Sequence, residues 1–223
     1  LVSQLLKQSN VPNFVEYKPV LIQYQGKEIP GCASKNFRRK DEMLVPFERL
    51  HRAYKGRGLA AALGEINEPQ ERIRYTVDFI EQTTGLTDIG AYLTLLLELD
   101  AFFLNEDRHT NNLAVIRNEK TKEFRLCPIF DNGLALLSDI NDYPLDKDVY
   151  DYIRRVQAKP FDLDFDVQVE AAEELYGMQL KLSFSRKEIS KELKFVTELY
   201  GEKIYRRVEQ VLFEQMRKYQ IYF

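Results

Sequence analysis

The chain has 223 residues, of which 44% are hydrophobic, 30% charged and 12% aromatic, and its 32 Lys and Arg against 35 Asp and Glu leave a net charge of −3 at pH 7. That composition suits one large folded domain or two small ones and excludes intrinsic disorder. The near balance of charge argues against a general nucleic-acid or membrane-surface binder. The most apolar stretch, Ala91–Leu104, is too short for a membrane span and carries Glu98 and Asp100.

In chain order, Leu1–Gln8 reads as the tail of an amphipathic helix with Val2, Leu5 and Leu6 on one face. Phe14–Gln25 alternates loosely around Pro19, and Gly26 and Pro30-Gly31 follow, which predicts two short strands. From Pro46 the pattern is helical: Phe47, Leu50 and Tyr54 share a face, Pro46 suits a first turn and Gly56 ends the helix. His51 falls on this helix and reads as structural. A second helix starts at Asn67 and Pro69, buries Ile73, Val77 and Ile80, and stops at Gly85.

Asp88 can cap the next helix, Ile89–Leu104, which is apolar almost all round and therefore belongs at the centre of its domain. It runs straight into the polar stretch 105–112. Leu113–Arg117 and Glu123–Cys127 then read as a hairpin across the turn Asn118–Lys122. Leu134–Pro160 has weak periodicity and predicts an extended loop with some helix. The last sixty residues are helical again, with a capping-box pattern at Ser185 and Glu188 and a final helix after Gly201. Asp162, Asp164, Asp166 and Glu173 mimic a calcium loop, but Val167 stands where the sharp turn demands glycine. The alternating Phe161, Leu163, Phe165 and Val167 look like packing instead.

Two cysteines, Cys32 and Cys127, make neither a disulfide framework nor a zinc site, and no secretory signal is visible, so a reducing cytoplasm is the expected location. The chain opens on Leu rather than Met, as a piece of a longer product would.

The chemistry-bearing residues flank the central hairpin. Asp107 and Asn112 precede it and Asp131 follows it, so folding the hairpin brings the three toward one end. Two acids and an amide there suit a magnesium–phosphate site, since magnesium takes few protein oxygens and leaves its other positions to water and phosphate. Asp107-Arg-His-Thr-Asn-Asn112 resembles the Asp-Arg-His-x-x-Asn catalytic loop of the phosphoinositide-type kinases and of the bacterial HipA- and CtkA-type kinases. Ile129-Phe-Asp-Asn-Gly133 is similar to the metal-binding segment that follows in those families, with Asn132 where many kinases have Phe.

The resemblance implies an α+β, predominantly helical fold. It would comprise a helical kinase-like large lobe over 41–223, with the catalytic hairpin, and a short strand remnant of the small lobe and hinge over 1–40. It implies an ATP- and magnesium-dependent Ser/Thr protein kinase. In that scheme Asp107 positions or deprotonates the substrate hydroxyl, and His109 lies beside the phosphate as the competing base. Asn112 and Asp131 hold magnesium, and adenine docks near Gly31–Phe37. The implied partners are a protein acceptor, the chain's own Ser138 included, and a small antitoxin-type protein.

The pattern also departs from those families. A phosphate-covering glycine loop and a strand lysine belong upstream of the first long helix, and the chain opens within what would be that helix. Gly56-Arg-Gly58 lacks the third glycine, and Lys18 lies on the wrong side of the helix. Two other functions therefore stand beside the kinase: a catalytically incomplete kinase-like lobe used as a binding module, and a metal-dependent phosphohydrolase built on Asp107, His109 and Asp131.

Overall fold

A computed structural model describes residues Leu1–Phe223. Helix α1 (Val2–Leu5) continues as a 3₁₀ turn over Leu6–Gln8, and Val2, Leu5 and Leu6 are buried as their spacing predicts. Strands β1 (Tyr17–Tyr24) and β2 (Lys27–Ser34) form an antiparallel hairpin in which Tyr24 faces Lys27. Gln25 at φ 49° and Gly26 at φ 74° close it. A two-residue turn with positive φ at both positions matches the right-handed twist of the strands, which is why Gly stands there. Leu21, Ile22, Tyr24 and Ile29 of this hairpin are exposed.

Strand β3 (Glu42–Pro46) is an element the sequence reading does not anticipate. Met43, Leu44 and Val45 run without alternation, and their partner lies far along the chain. β3 pairs antiparallel with β4 (Ala114–Asn118), Val45 opposite Val115, and β4 pairs with β5 (Phe124–Leu126). The expected hairpin is thus part of a three-stranded sheet ordered β3-β4-β5.

Pro46 ends β3 and is also the N-cap of α2 (Phe47–Lys55), one position before the expected first turn. Phe47 and Leu50 are buried, but Tyr54 is 61% exposed. Residues 52–57 are all exposed, so the last turn of α2 projects beyond the layer it packs on, and His51 completes the buried face in place of Tyr54. His51 is structural: its ring nitrogens lie 2.7 Å from the Arg57 carbonyl and 2.7 Å from the Tyr75 hydroxyl.

Helix α3 (Leu59–Leu63) leads to α4 (Pro69–Thr84), which is capped at Glu68 rather than Asn67 and ends at Gly85 in the left-handed region. In α5 (Ile89–Phe103) thirteen of fifteen residues are buried, so it is wrapped on all sides, as its sequence predicts. Asp88 occupies its N-cap position without a side-chain hydrogen bond. Later helices are α6 (Val149–Ile153), α7 (Phe165–Tyr176), α8 (Arg186–Glu192), α9 (Lys194–Tyr200) and α10 (Glu202–Lys218). The Ser185–Glu188 capping box forms at the start of α8. Of the run expected to pack at 161–167, Phe161 and Phe165 are buried whereas Leu163 and Val167 are exposed. Asp164, between them, caps α7 by accepting the Asp166 N–H at 2.8 Å.

One continuous core joins Val2, Leu5, Leu6 and Val11 to the apolar faces of α4, α5, α7 and α10, while β1 and β2 contribute nothing to it. The alternation of β4 divides the sheet: Val115 faces that core, and Ala114 and Ile116 face a smaller cluster with Cys127, against which Phe37, Leu44 and Phe130 pack. No helix is long and apolar enough to cross a membrane.

Candidate active site

The buried helix α5 stops abruptly at Leu104, whose φ of 51° and ψ of 50° turn the chain out into the loop 105–112. Helix α2 holds that loop from the other side. The first N–H groups of any helix lack partners within it; here the Phe47 N–H donates to the Leu113 carbonyl at 2.8 Å and the Glu48 N–H to the Thr110 carbonyl at 3.3 Å. The Glu48 carboxylate then accepts the Thr110 hydroxyl and the Ala60 N–H, both at 2.9 Å.

The centre of the site is a residue sequence reasoning did not single out. Arg108 is fully buried and pairs with Asp100 of α5, Nε to Oδ2 at 2.7 Å and Nη2 to Oδ1 at 3.0 Å. Burial pushes the Asp100 carboxyl above its ordinary range, against the pull of Arg108 and Asn105. The remaining donors of Arg108 join the two motifs. Nη1 reaches both the Asn112 carbonyl at 3.3 Å and the Phe130 carbonyl at 2.9 Å, and Nη2 reaches Asn132 Oδ1 at 3.0 Å. Asn132 therefore has a defined place: its amide oxygen ties the second motif to the first. The signal in the sequence was a buried-helix acid, Asp100, followed eight residues later by an arginine.

Asp107, His109 and Asn112 come together within the loop. The His109 N–H donates to the Asp107 carbonyl and the Asn112 N–H to the His109 carbonyl, each at 2.8 Å. Asn112 Nδ2 donates to the Asp107 carbonyl at 3.0 Å, which leaves its Oδ1 for an outside ligand. His109 Nε2 lies 3.8 Å from Asp107 Oδ2, and its Nδ1 is enclosed without a partner. Lys159 Nζ lies 3.7 Å from Asp107 Oδ1.

Asp131 is joined to this group through Phe130 and Asn132 rather than through its own side chain. Its φ of 57° is in the left-handed region, unusual outside glycine, and its N–H donates to the Tyr17 hydroxyl at 3.3 Å. The exposed carboxylate makes no hydrogen bond or ion pair within the chain. Ser138 is exposed, and its hydroxyl donates to the Gly133 carbonyl at 2.8 Å.

No three His, Cys, Asp or Glu side chains gather into a metal cage. The oxygens left over, Asn112 Oδ1 and the Asp131 carboxylate, are of the hard-donor kind that magnesium takes beside water and phosphate. Ala114, Ile116 and Cys127 form a small, fully buried apolar cluster that half-buried Phe37 and Phe130 cover, their ring centres 5.9 Å apart. Burial pushes the Cys127 thiol up to about 12, so it packs there as a neutral apolar group. Two surface clefts lie elsewhere, along α10; of their arginines, Arg154 and Arg217 are paired locally with Asp151 and Glu214, and Arg186 lies over the Phe213 ring.

No protein-family model matches the chain, and no curated protein sequence matches it. Among solved structures it is similar to the crystal structure of a Helicobacter pylori proinflammatory kinase, CtkA, with a TM-score of 0.65 and 16% sequence identity over 97% of this chain and 81% of that one. At that identity the likeness is one of fold. The chain has a kinase-like fold.

Proposed function

We propose that the chain is an ATP- and magnesium-dependent phosphotransferase of the HipA/CtkA-like type, acting on Ser or Thr of a protein. The observation that carries this reading is the single guanidinium of Arg108, which binds the loop bearing Asp107 and Asn112 and the segment bearing Asp131 at once. Two motifs that are weak apart are thereby held as one surface with uncommitted oxygens. The kinase-like fold supports the same reading.

In this scheme Asn112 Oδ1 and the Asp131 carboxylate hold the cation, which would neutralise the phosphate oxygens. Asp107 orients the acceptor hydroxyl and receives its proton, with His109 next to it beside the phosphate. Half-buried Phe37 and Phe130, packed on one another, supply in this scheme the apolar surface for an adenine ring, close to the hinge expected at Gly31–Phe37. The division into a small-lobe remnant over 1–40 and a large lobe over 41–223, the cytoplasmic location and an acceptor protein, Ser138 of the chain included, belong to the same proposal. So does an antitoxin-type partner, which rests on the family resemblance alone.

Isothermal calorimetry with ATP and magnesium tests it. Binding that disappears in Asp131→Ala, together with labelled phosphate on a protein product, is the expected result. No binding by the chain favours the alternative of a kinase-like binding module. Phosphate release without any phosphorylated protein favours a metal-dependent phosphohydrolase.

A further inference from the structure

We infer that Lys159 supplies the positive charge that meets the transferred phosphoryl group, an assignment that rests on the phosphotransferase reading and deepens it. Lys159 is the one Lys or Arg whose side chain comes within 4.0 Å of the Asp107 carboxylate, at 3.7 Å, and none comes that close to Asp131. Arg108, the neighbour in sequence, is committed inside the protein to Asp100. The other group beside Asp107 is His109, at 3.8 Å.

The backbone that presents Lys159 is fixed on both sides. Ala158 and Phe161 are fully buried. The Ala158 N–H donates to the Leu163 carbonyl at 2.8 Å, and Arg72 of α4 donates to the Phe161 carbonyl at 2.7 Å. Between these anchors the lysine side chain is 49% exposed, against 34% for its partner Asp107. An exposed pair at 3.7 Å contributes little to stability, since solvent screens it. What distinguishes it is place: a half-exposed ammonium on an anchored backbone, beside the carboxylate proposed to receive the acceptor's proton.

The chemistry makes use of that position. In the transfer, the acceptor hydroxyl gives its proton to Asp107, and its oxygen forms a bond to the γ-phosphorus. The bond from that phosphorus to the β,γ-bridging oxygen breaks, and ADP leaves with the electron pair. Asp107 loses its negative charge as it takes the proton, while charge is spread over the three equatorial phosphoryl oxygens. Lys159 exchanges one anion for the other. Its contact with the phosphoryl oxygens is made as Asp107 is neutralised, so that contact is stronger in the transition state than in the ground state, which is the condition for accelerating the step.

The test uses the full chain and two nucleotide probes, ATP with magnesium and ADP with magnesium and aluminium fluoride, the second a planar mimic of the phosphoryl group in flight. Lys159→Ala should bind ATP within about threefold of the unmodified chain and bind the aluminium fluoride complex about 10²-fold more weakly, with kcat reduced in proportion. Lys159→Arg, which keeps the charge, should recover most of both. Unchanged affinity for the mimic in Lys159→Ala, or an equal loss for both probes, overturns the assignment of Lys159 alone. Failure of the unmodified chain to bind either probe overturns the phosphotransferase reading, and the assignment with it.

Discussion

The carboxylate of Glu98, wholly buried in the middle of α5, accepts the backbone N–H of Leu180 at 2.7 Å through one oxygen. Through the other it accepts the Gln179 N–H at 2.9 Å. It thereby pins the segment after α7 to the central helix. Glu173 of α7 lies beside it and accepts the Tyr222 hydroxyl at 3.0 Å, so the C-terminal turn joins the same cluster.

Burial, reinforced by Glu173 and opposed by the two N–H donors, pushes the Glu98 carboxyl from 4.5 up to about 8. The folded chain therefore holds this proton more tightly than the unfolded one, and the contribution to stability is complete at low pH and lost as pH rises from 4.5 through about 8. Melting followed by circular dichroism should show Tm falling across that window, by ~2–4 °C for each kcal/mol involved. Glu173→Gln removes the neighbouring charge and should flatten the slope. A slope unaltered by this substitution would separate Glu173 from the effect.

In the proposed reaction Asp107 and Asp131 would act together from two segments, so their losses should not add. Each of Asp107→Ala and Asp131→Ala is expected to reduce phosphoryl transfer by about 10²–10³-fold. The double variant should be scarcely worse than either single one. Product appearance measured for the three variants decides this, and multiplicative losses would mean that the two residues do not share a site.

Glu48 gives a prediction about how the loop is held. Its carboxylate, 13% exposed, serves the Thr110 hydroxyl and the Ala60 N–H, and an added Cβ on Gly58 would come within 1.8 Å of it. Glu48→Ala should cost about 2 kcal/mol in urea denaturation, because it strips partners from charge-assisted hydrogen bonds. Gly58→Ala should displace the same carboxylate and reproduce part of that loss. A Gly58→Ala chain as stable as the original would show that the carboxylate has room to move.

The sequence was most legible where the local pattern and the tertiary environment agree. Ile89–Phe103 is apolar almost all round and is buried at thirteen of its fifteen residues. Ser185 and Glu188 needed only each other to form their cap. What escaped was long-range. Met43–Val45 become a strand only because β4 is there to pair with, and Tyr54 is exposed because nothing covers the last turn of its helix. In the candidate site, Asp107, His109, Asn112 and Asp131 were singled out by motif spacing and family resemblance, whereas Arg108, Asp100 and Lys159 were not. Their roles depend on which side chains a buried guanidinium or a distant loop meets, and no periodicity records that.

The ion pair between Arg108 and Asp100 yields the last prediction, and the sign differs between single and double substitution. Side-chain exposure is 0% for Arg108 and 1% for Asp100, so each charge depends on the other for compensation. Arg108→Ala strands a buried carboxylate and releases the Asn112, Phe130 and Asn132 oxygens together; it should cost ~3–5 kcal/mol, a large share of the stability of a chain this size. Replacing both partners by apolar groups of similar volume, Arg108→Met with Asp100→Leu, removes the stranded charge and should be less destabilising than Arg108→Ala alone. That double variant still lacks the link between the two loops, so it should remain folded by circular dichroism yet bind ATP and magnesium poorly. A double variant that both folds and binds nucleotide normally would show that Arg108 serves the core and not the site.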